Sequence, residues 1–170
     1  MFLNAIASGN AQAARYASIG SEEDKRWIDG RVGLINGLRN YDQALLSRFG
    51  QAAVATDLEL KQAIQSLAQD PVMKFDGAIV HEGEDTAEIR AALKGVRLAS
   101  EPPILMRKEN GLWKVDLTAM RQDPRHDPAL VQQFALAGKA LENAAQLIRS
   151  GRYRSIQEAQ QAIEQQSLPQ

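Results

Sequence analysis

The stretch ILMRKENGLWKVDL, residues 104–117, decides the reading of this chain. Two arms of alternating apolar and polar residues meet at Asn110-Gly111. A two-residue Asn-Gly loop favours a type I′ turn, because both central residues must take positive φ. That turn pairs Glu109 with Leu112, and the register behind it follows. Lys108 then faces Trp113, Met106 faces Val115 and Ile104 faces Leu117. Arg107, Glu109, Lys114 and Asp116 share the opposite face, as a half-buried hairpin requires. Lys108 is placed to lie over the Trp113 ring. Trp113 itself reads first as a core anchor and second as the wall of a pocket.

Upstream, Ser100-Glu101-Pro102-Pro103 separates this hairpin from an earlier strand. In that strand Ala87, Ile89, Ala91 and Leu93 alternate with polar residues, but the apolar phase shifts to Val96 and Leu98 after Gly95. The shift predicts one extra residue, a β-bulge at Lys94-Gly95 that bends a single long strand. Glu82-Gly83-Glu84-Asp85 is a turn, and Phe75 to Val80 is the strand before it.

Before residue 70 the period is 3.6 rather than 2. Met1 to Gly20 is weakly helical and broken at Ser8-Gly9. Ser21-Glu22-Glu23-Asp24 caps a long helix whose stripe is Ile28, Val32, Ile35, Leu38, Leu45 and Phe49, ending at Gly50. Gly30, Gly33 and Gly37 lie inside it, each costing roughly 1 kcal/mol against alanine, which implies close packing on a neighbour or a kink. Thr56-Asp57-Leu58-Glu59 caps a second helix, stopped by Asp70-Pro71. After the hairpin, Asp127-Pro128 opens a long helix with a seam of Leu130, Phe134, Ala137, Leu141, Ala144 and Ile148, ending at Gly151. Ser155-Ile156-Gln157-Glu158 caps a last short helix through Ile163.

Composition narrows the function classes. Twenty basic residues against 21 acidic ones give a net charge of −1, which argues against a phosphate-binding face for nucleic acid. The absence of cysteine removes disulfides, thiolate nucleophiles and cysteine-ligated zinc, and two histidines cannot make a multi-histidine metal centre. No cofactor or metal is expected. No apolar run approaches the ~18 residues of a membrane span. The N-terminus lacks the basic and continuous apolar regions of a signal peptide, so the expectation is a cytoplasmic protein or an exported fragment without its signal.

The run GAIVHEGEDTAEIRAALKGVRLASEPPILMRKENGLWKVDL resembles the strand region of the nuclear transport factor two-like superfamily. Its cone-shaped fold is also called ketosteroid-isomerase-like or cystatin-like. The resemblance spans roughly residues 72–118 and rests on Glu84-Asp85-Thr86-Ala87-Glu88-Ile89 and on Asn110 to Leu117. It implies an α+β fold in which N-terminal helices pack on a bent antiparallel sheet of about four strands. The two C-terminal helices depart from the family plan. The expected organisation is a cone-shaped domain over 1–125 and a helical extension over 126–170 packed on it.

The bulged strand, the Asn-Gly hairpin and the lack of a convincing acid–base set point to a non-catalytic domain of this kind, binding a small apolar ligand or a protein partner. A homodimer is expected, formed through the sheet or the 128–150 helix. The expected pocket lining is Trp113, Met106, Val115, Ile89 and Tyr41. In the family's enzymes an acid of shifted pKa works inside the cone. The candidates for that role here are Tyr41 with Asp42, Asp76 and His81, which leaves a small hydrolase or isomerase as the alternative. A third reading is an assembly module working through the C-terminal helices. The cluster Arg149, Arg152, Arg154 is what a helix C-terminus favours without any partner.

Overall fold

The computed structural model describes residues 2–51, 53, 77–93, 96–97, 103–122 and 126–167. The helix expected from Thr56, the candidate Asp76 and the bulge at Lys94-Gly95 lie outside them. The chain is α+β and forms two compact units, residues 1–28 with 70–127 and residues 29–69 with 128–170.

The first unit is built on a mixed sheet. Its elements are α1 (Phe2–Ser8), α2 (Ala11–Tyr16), β1 (Ser18–Ile19), β2 (Gly77–Glu82), β3 (Thr86–Leu93), β4 (Val96–Arg97), β5 (Ile104–Glu109) and β6 (Leu112–Asp116). The strand order is β1-β6-β5-β3-β2, with β4 also pairing β3. Asn110 and Gly111 take φ of 52° and 79°, the two left-handed residues that a type I′ turn needs. The predicted register follows from them: Glu109 opposite Leu112, Lys108 opposite Trp113, Met106 opposite Val115. Leu117 has already left the strand and is fully buried in the turn that follows.

Two expectations about this sheet are corrected. It is not purely antiparallel: β1 runs parallel to β6, Ser18 opposite Val115 and Ile19 opposite Asp116. The pairing is held by the Val115 amide donating to the Ala17 carbonyl at 3.0 Å and the Leu117 amide to Ile19 at 2.9 Å. Two residues have no period, so no pattern in the sequence announces such a strand. Nor does one long strand run on past Gly95, because Leu93 pairs antiparallel with Val96 and Ala92 with Arg97. The phase shift that suggested a bulge marks a reversal of chain direction. A hairpin and a bulge both change the facing parity, and parity alone does not separate them.

The described elements of the second unit are helices. The unit takes the larger part of α3 (Glu22–Phe49) together with α4 (Pro128–Arg149) and α5 (Ile156–Ser167). The predicted cap at Ser155 is in place: the Glu158 amide donates to the Ser155 hydroxyl at 3.2 Å, and the Glu158 carboxylate accepts from the Arg154 amide at 2.7 Å. Gly50 and Gly151 end α3 and α4 with φ of 81° and 74°. The α4 seam of Phe134, Ala137, Leu141, Ala144 and Ile148 packs with Leu34, Tyr41 and Leu45 of α3 and Ala159 and Ile163 of α5. That seam is therefore used inside the unit.

The glycines of α3 explain how the two long helices come together. A Cβ on Gly37 would lie 2.6 Å from the Gly138 carbonyl oxygen, and one on Gly138 would lie 2.8 Å from the Gly33 carbonyl. Both distances are shorter than real Cβ contacts allow, so backbone packs on backbone and only glycine fits. A Cβ on Gly33, by contrast, would meet nothing within 4 Å. Gly37→Ala and Gly138→Ala should each destabilise by about 1–3 kcal/mol through forced separation of the helices, more than the ~1 kcal/mol that alanine restores in helix propensity. Gly33→Ala should stabilise by up to about 1 kcal/mol. Chemical denaturation of the three variants measures the opposite signs.

Candidate functional site

The outer edge of β6 positions the site. In the hairpin ladder, Val115 directs its amide away from β5, towards Ala17. Trp113, two residues earlier, directs its amide to the same edge. The β1 pairing begins only at Val115, so the chain before it, at Tyr16 and Ala17, stands beside the Leu112–Lys114 edge as the end of a helix instead of a strand. A hollow of about 180 Å³ opens there, lined by Phe2, Tyr16, Ala17, Met106, Leu112, Trp113 and Lys114. Tyr16 is 62% exposed and Leu112 52%, so the hollow meets solvent across an apolar rim.

The lining is aromatic and aliphatic, with one cation. Lys114 Nζ lies 5.3 Å from the Tyr16 ring centroid, and Lys108 Nζ lies 5.8 Å from that of Trp113, as the register predicts. Lys114 also donates to Glu109 Oε2 at 2.7 Å. That bond, with Arg107 nearby, holds the Glu109 carboxyl below its ordinary range. On the same face Arg107 pairs with Asp116 at 3.2 Å. Phe2 is stacked on Trp27 with centroids 6.4 Å apart, and Trp27 on His126 at 4.6 Å. This stack fixes one wall of the hollow.

An ion pair between the buried Asp24 carboxylate and the exposed Arg121 side chain ties the exit of β6 to the start of α3. Asp24 accepts from Arg121 Nε at 2.5 Å and from the second guanidinium nitrogen at 2.9 Å. It also accepts from the Ser21 amide and hydroxyl at 2.7 and 2.8 Å, and the Ser21 oxygen accepts from the Asp24 amide at 3.2 Å. The capping box is thus closed by a residue 97 positions away. The Arg121 guanidinium, followed by the Ser21 donors, holds the Asp24 carboxyl far below the usual carboxylate range, against the opposing effect of burial.

Of the residues named for a pocket, Trp113 and Met106 stand in the wall of this edge hollow. Trp113 is half-buried, not a fully buried core anchor. Val115 is buried beside them but is not part of the lining, and Ile89 sits on β3 opposite Ile104. Tyr41 is fully buried in the core of the helical unit. Of the acid–base candidates, His81 stands within β2 opposite Glu88, and Asp42 neighbours Tyr41 on α3. Tyr41 and Asp42 belong to the helical unit and His81 to the sheet unit. Phe2, Tyr16, Ala17, Leu112 and Lys114 were not anticipated. The register gave Leu112 and Lys114 as neighbours of Trp113, but nothing local ties α1 or α2 to that edge.

Among the described residues no group of three His, Cys, Asp or Glu side chains could hold a metal, and no helix is long and apolar enough to cross a membrane. Comparison with family models, with curated proteins and with solved structures yields no match. The nuclear transport factor two-like resemblance therefore rests on the strand motifs alone.

The Asp24 pair has a measurable pH signature. A carboxyl whose folded pKa is depressed adds stability above its unfolded value of about 3.9, and that stability is lost as pH falls below it towards the folded pKa. Asp24→Asn should cost about 1–3 kcal/mol at neutral pH. The difference between parent and variant, followed by denaturation at stepped pH, should shrink as pH drops from about 5 to 2.

Proposed function

We propose that this chain is a non-catalytic binding domain of the nuclear transport factor two-like kind, with a bent, cone-like sheet, whose ligand site is the hollow at the β6 edge. The observation that carries the reading is the hollow's lining: Phe2, Met106, Leu112 and Trp113 around about 180 Å³, with no carboxylate or imidazole among the lining side chains. Such a lining favours an apolar body and holds no carboxylate or imidazole to serve as a general base. The strand motifs at 84–89 and 110–117 support the fold assignment.

The size of the hollow sets the size of the ligand. A cavity of about 150 Å³ lined by aliphatic and aromatic side chains accepts benzene. One six-membered ring with a short substituent therefore matches this site. The α4 seam packs within the helical unit, which supports a site on the sheet over assembly through that seam.

Benzyl alcohol serves as a neutral probe. Titrated against ¹⁵N-labelled protein, it should shift the indole resonance of Trp113 and leave that of Trp27 in place. Ala17→Leu, which puts a larger side chain into the hollow, should weaken the probe at least about tenfold with little change in unfolding temperature. If the Trp113 indole does not respond at millimolar probe, or Ala17→Leu binds as well as the parent, the hollow is not a binding site.

A further inference from the structure

The hollow carries one charged group, and its present partner is suggestive. Lys114 is 16% exposed, so its stem is packed and its ammonium is held in place at the lining. Its carboxylate partner Glu109 is 45% exposed at the tip of the hairpin. An ammonium has three donors, so one carboxylate does not exhaust it. Exchange of an exposed partner costs little, because such pairs are worth about 0–1 kcal/mol. Trp113, whose ring Lys108 covers from across the hairpin, lines the hollow at the β6 edge. The Trp113 amide is directed to the same edge.

We infer that the hollow is selective for small aromatic carboxylates, such as one ring carrying an acetate arm, with Lys114 as the anion-binding group and Glu109 as an internal competitor for it. The inference rests on the reading of the hollow as a binding site. The ring would fill the space between Phe2, Met106 and Trp113, and the ligand carboxylate would take the place beside Lys114 now held by Glu109. The apolar contacts supply the affinity, and the exchange of carboxylates sets the preference. The device needs no proton transfer and no covalent step.

Phenylacetate and its neutral isostere phenylacetamide separate this inference from the more general one. Both are titrated at low salt with the Trp113 indole resonance as reporter, on the parent chain, Lys114→Met and Glu109→Gln. Far-ultraviolet circular dichroism and unfolding temperature check that each variant is folded. In the parent the acid should bind about 5-fold more tightly than the amide, as expected for an exposed charge pair, and the preference should fade in high salt. Lys114→Met should abolish the preference for the acid, so that acid and amide bind alike. Glu109→Gln should tighten the acid and leave the amide unchanged. Equal binding of acid and amide by the parent overturns the carboxylate selectivity while leaving the apolar site standing. Unchanged acid affinity in Glu109→Gln overturns the competitor role. Failure of both compounds to move the Trp113 indole overturns this inference and the binding-site reading together.

Discussion

The left-handed conformation of Asn110 and Gly111 is the constraint from which the sheet unit follows. With φ of 52° and 79° these two residues close the hairpin in two steps, and no other register can form behind them. The register decides which side chains share a face. It also decides which β6 amides turn outward, and one of those, from Val115, receives β1 through the Ala17 carbonyl. The hollow exists because that parallel pairing starts at Val115 rather than at Trp113. A one-residue slip of the hairpin would carry Trp113 to the other face and remove both the hollow and the Arg107–Asp116 and Lys114–Glu109 pairs.

The helical unit depends on a constraint of a different kind. Gly37 and Gly138 let the backbones of α3 and α4 touch, and the alanines at 137, 140, 144 and 145 keep that approach close along α4. Large side chains then fill the flanks: Tyr41, Phe134, Leu141, Ile148 and Ile163 are fully or almost fully buried. Arg31 is also buried, its guanidinium 5.5 Å from the Phe134 ring centroid. Small residues at the crossing let the helices approach, and the large ones beside it are buried at the flanks, in keeping with dense interior packing.

The two kinds of contact differ in how much of them a sequence discloses. The Asn-Gly turn acts through the φ values of its own residues, so its consequences for Lys108, Met106 and Val115 were legible in order. The caps at Ser21 and Ser155 act over three residues and were legible for the same reason. The Arg121–Asp24 pair joins residues almost a hundred positions apart, and neither side chain announces the other. The reversal between Leu93 and Val96 was visible as a change of phase but not as a change of direction, because a bulge and a turn shift parity alike.

The sequence by itself determined the α+β class, the ends of α3 and α4, the start of α5, the hairpin register and the side chains on each hairpin face. Each of these is governed by neighbours within a turn of helix or across a two-residue loop. Only the tertiary structure decided that β1 adds in parallel to β6, that Gly37 meets Gly138, and that Phe2, Tyr16 and Ala17 close a hollow against Met106, Leu112, Trp113 and Lys114. These contacts join segments distant in sequence, and their geometry is set by shape and by the few free backbone edges left once local structure has formed. Trp113 shows both: its strand and its facing partner come from the turn beside it, and its place as the wall of a site comes from helices a hundred residues away.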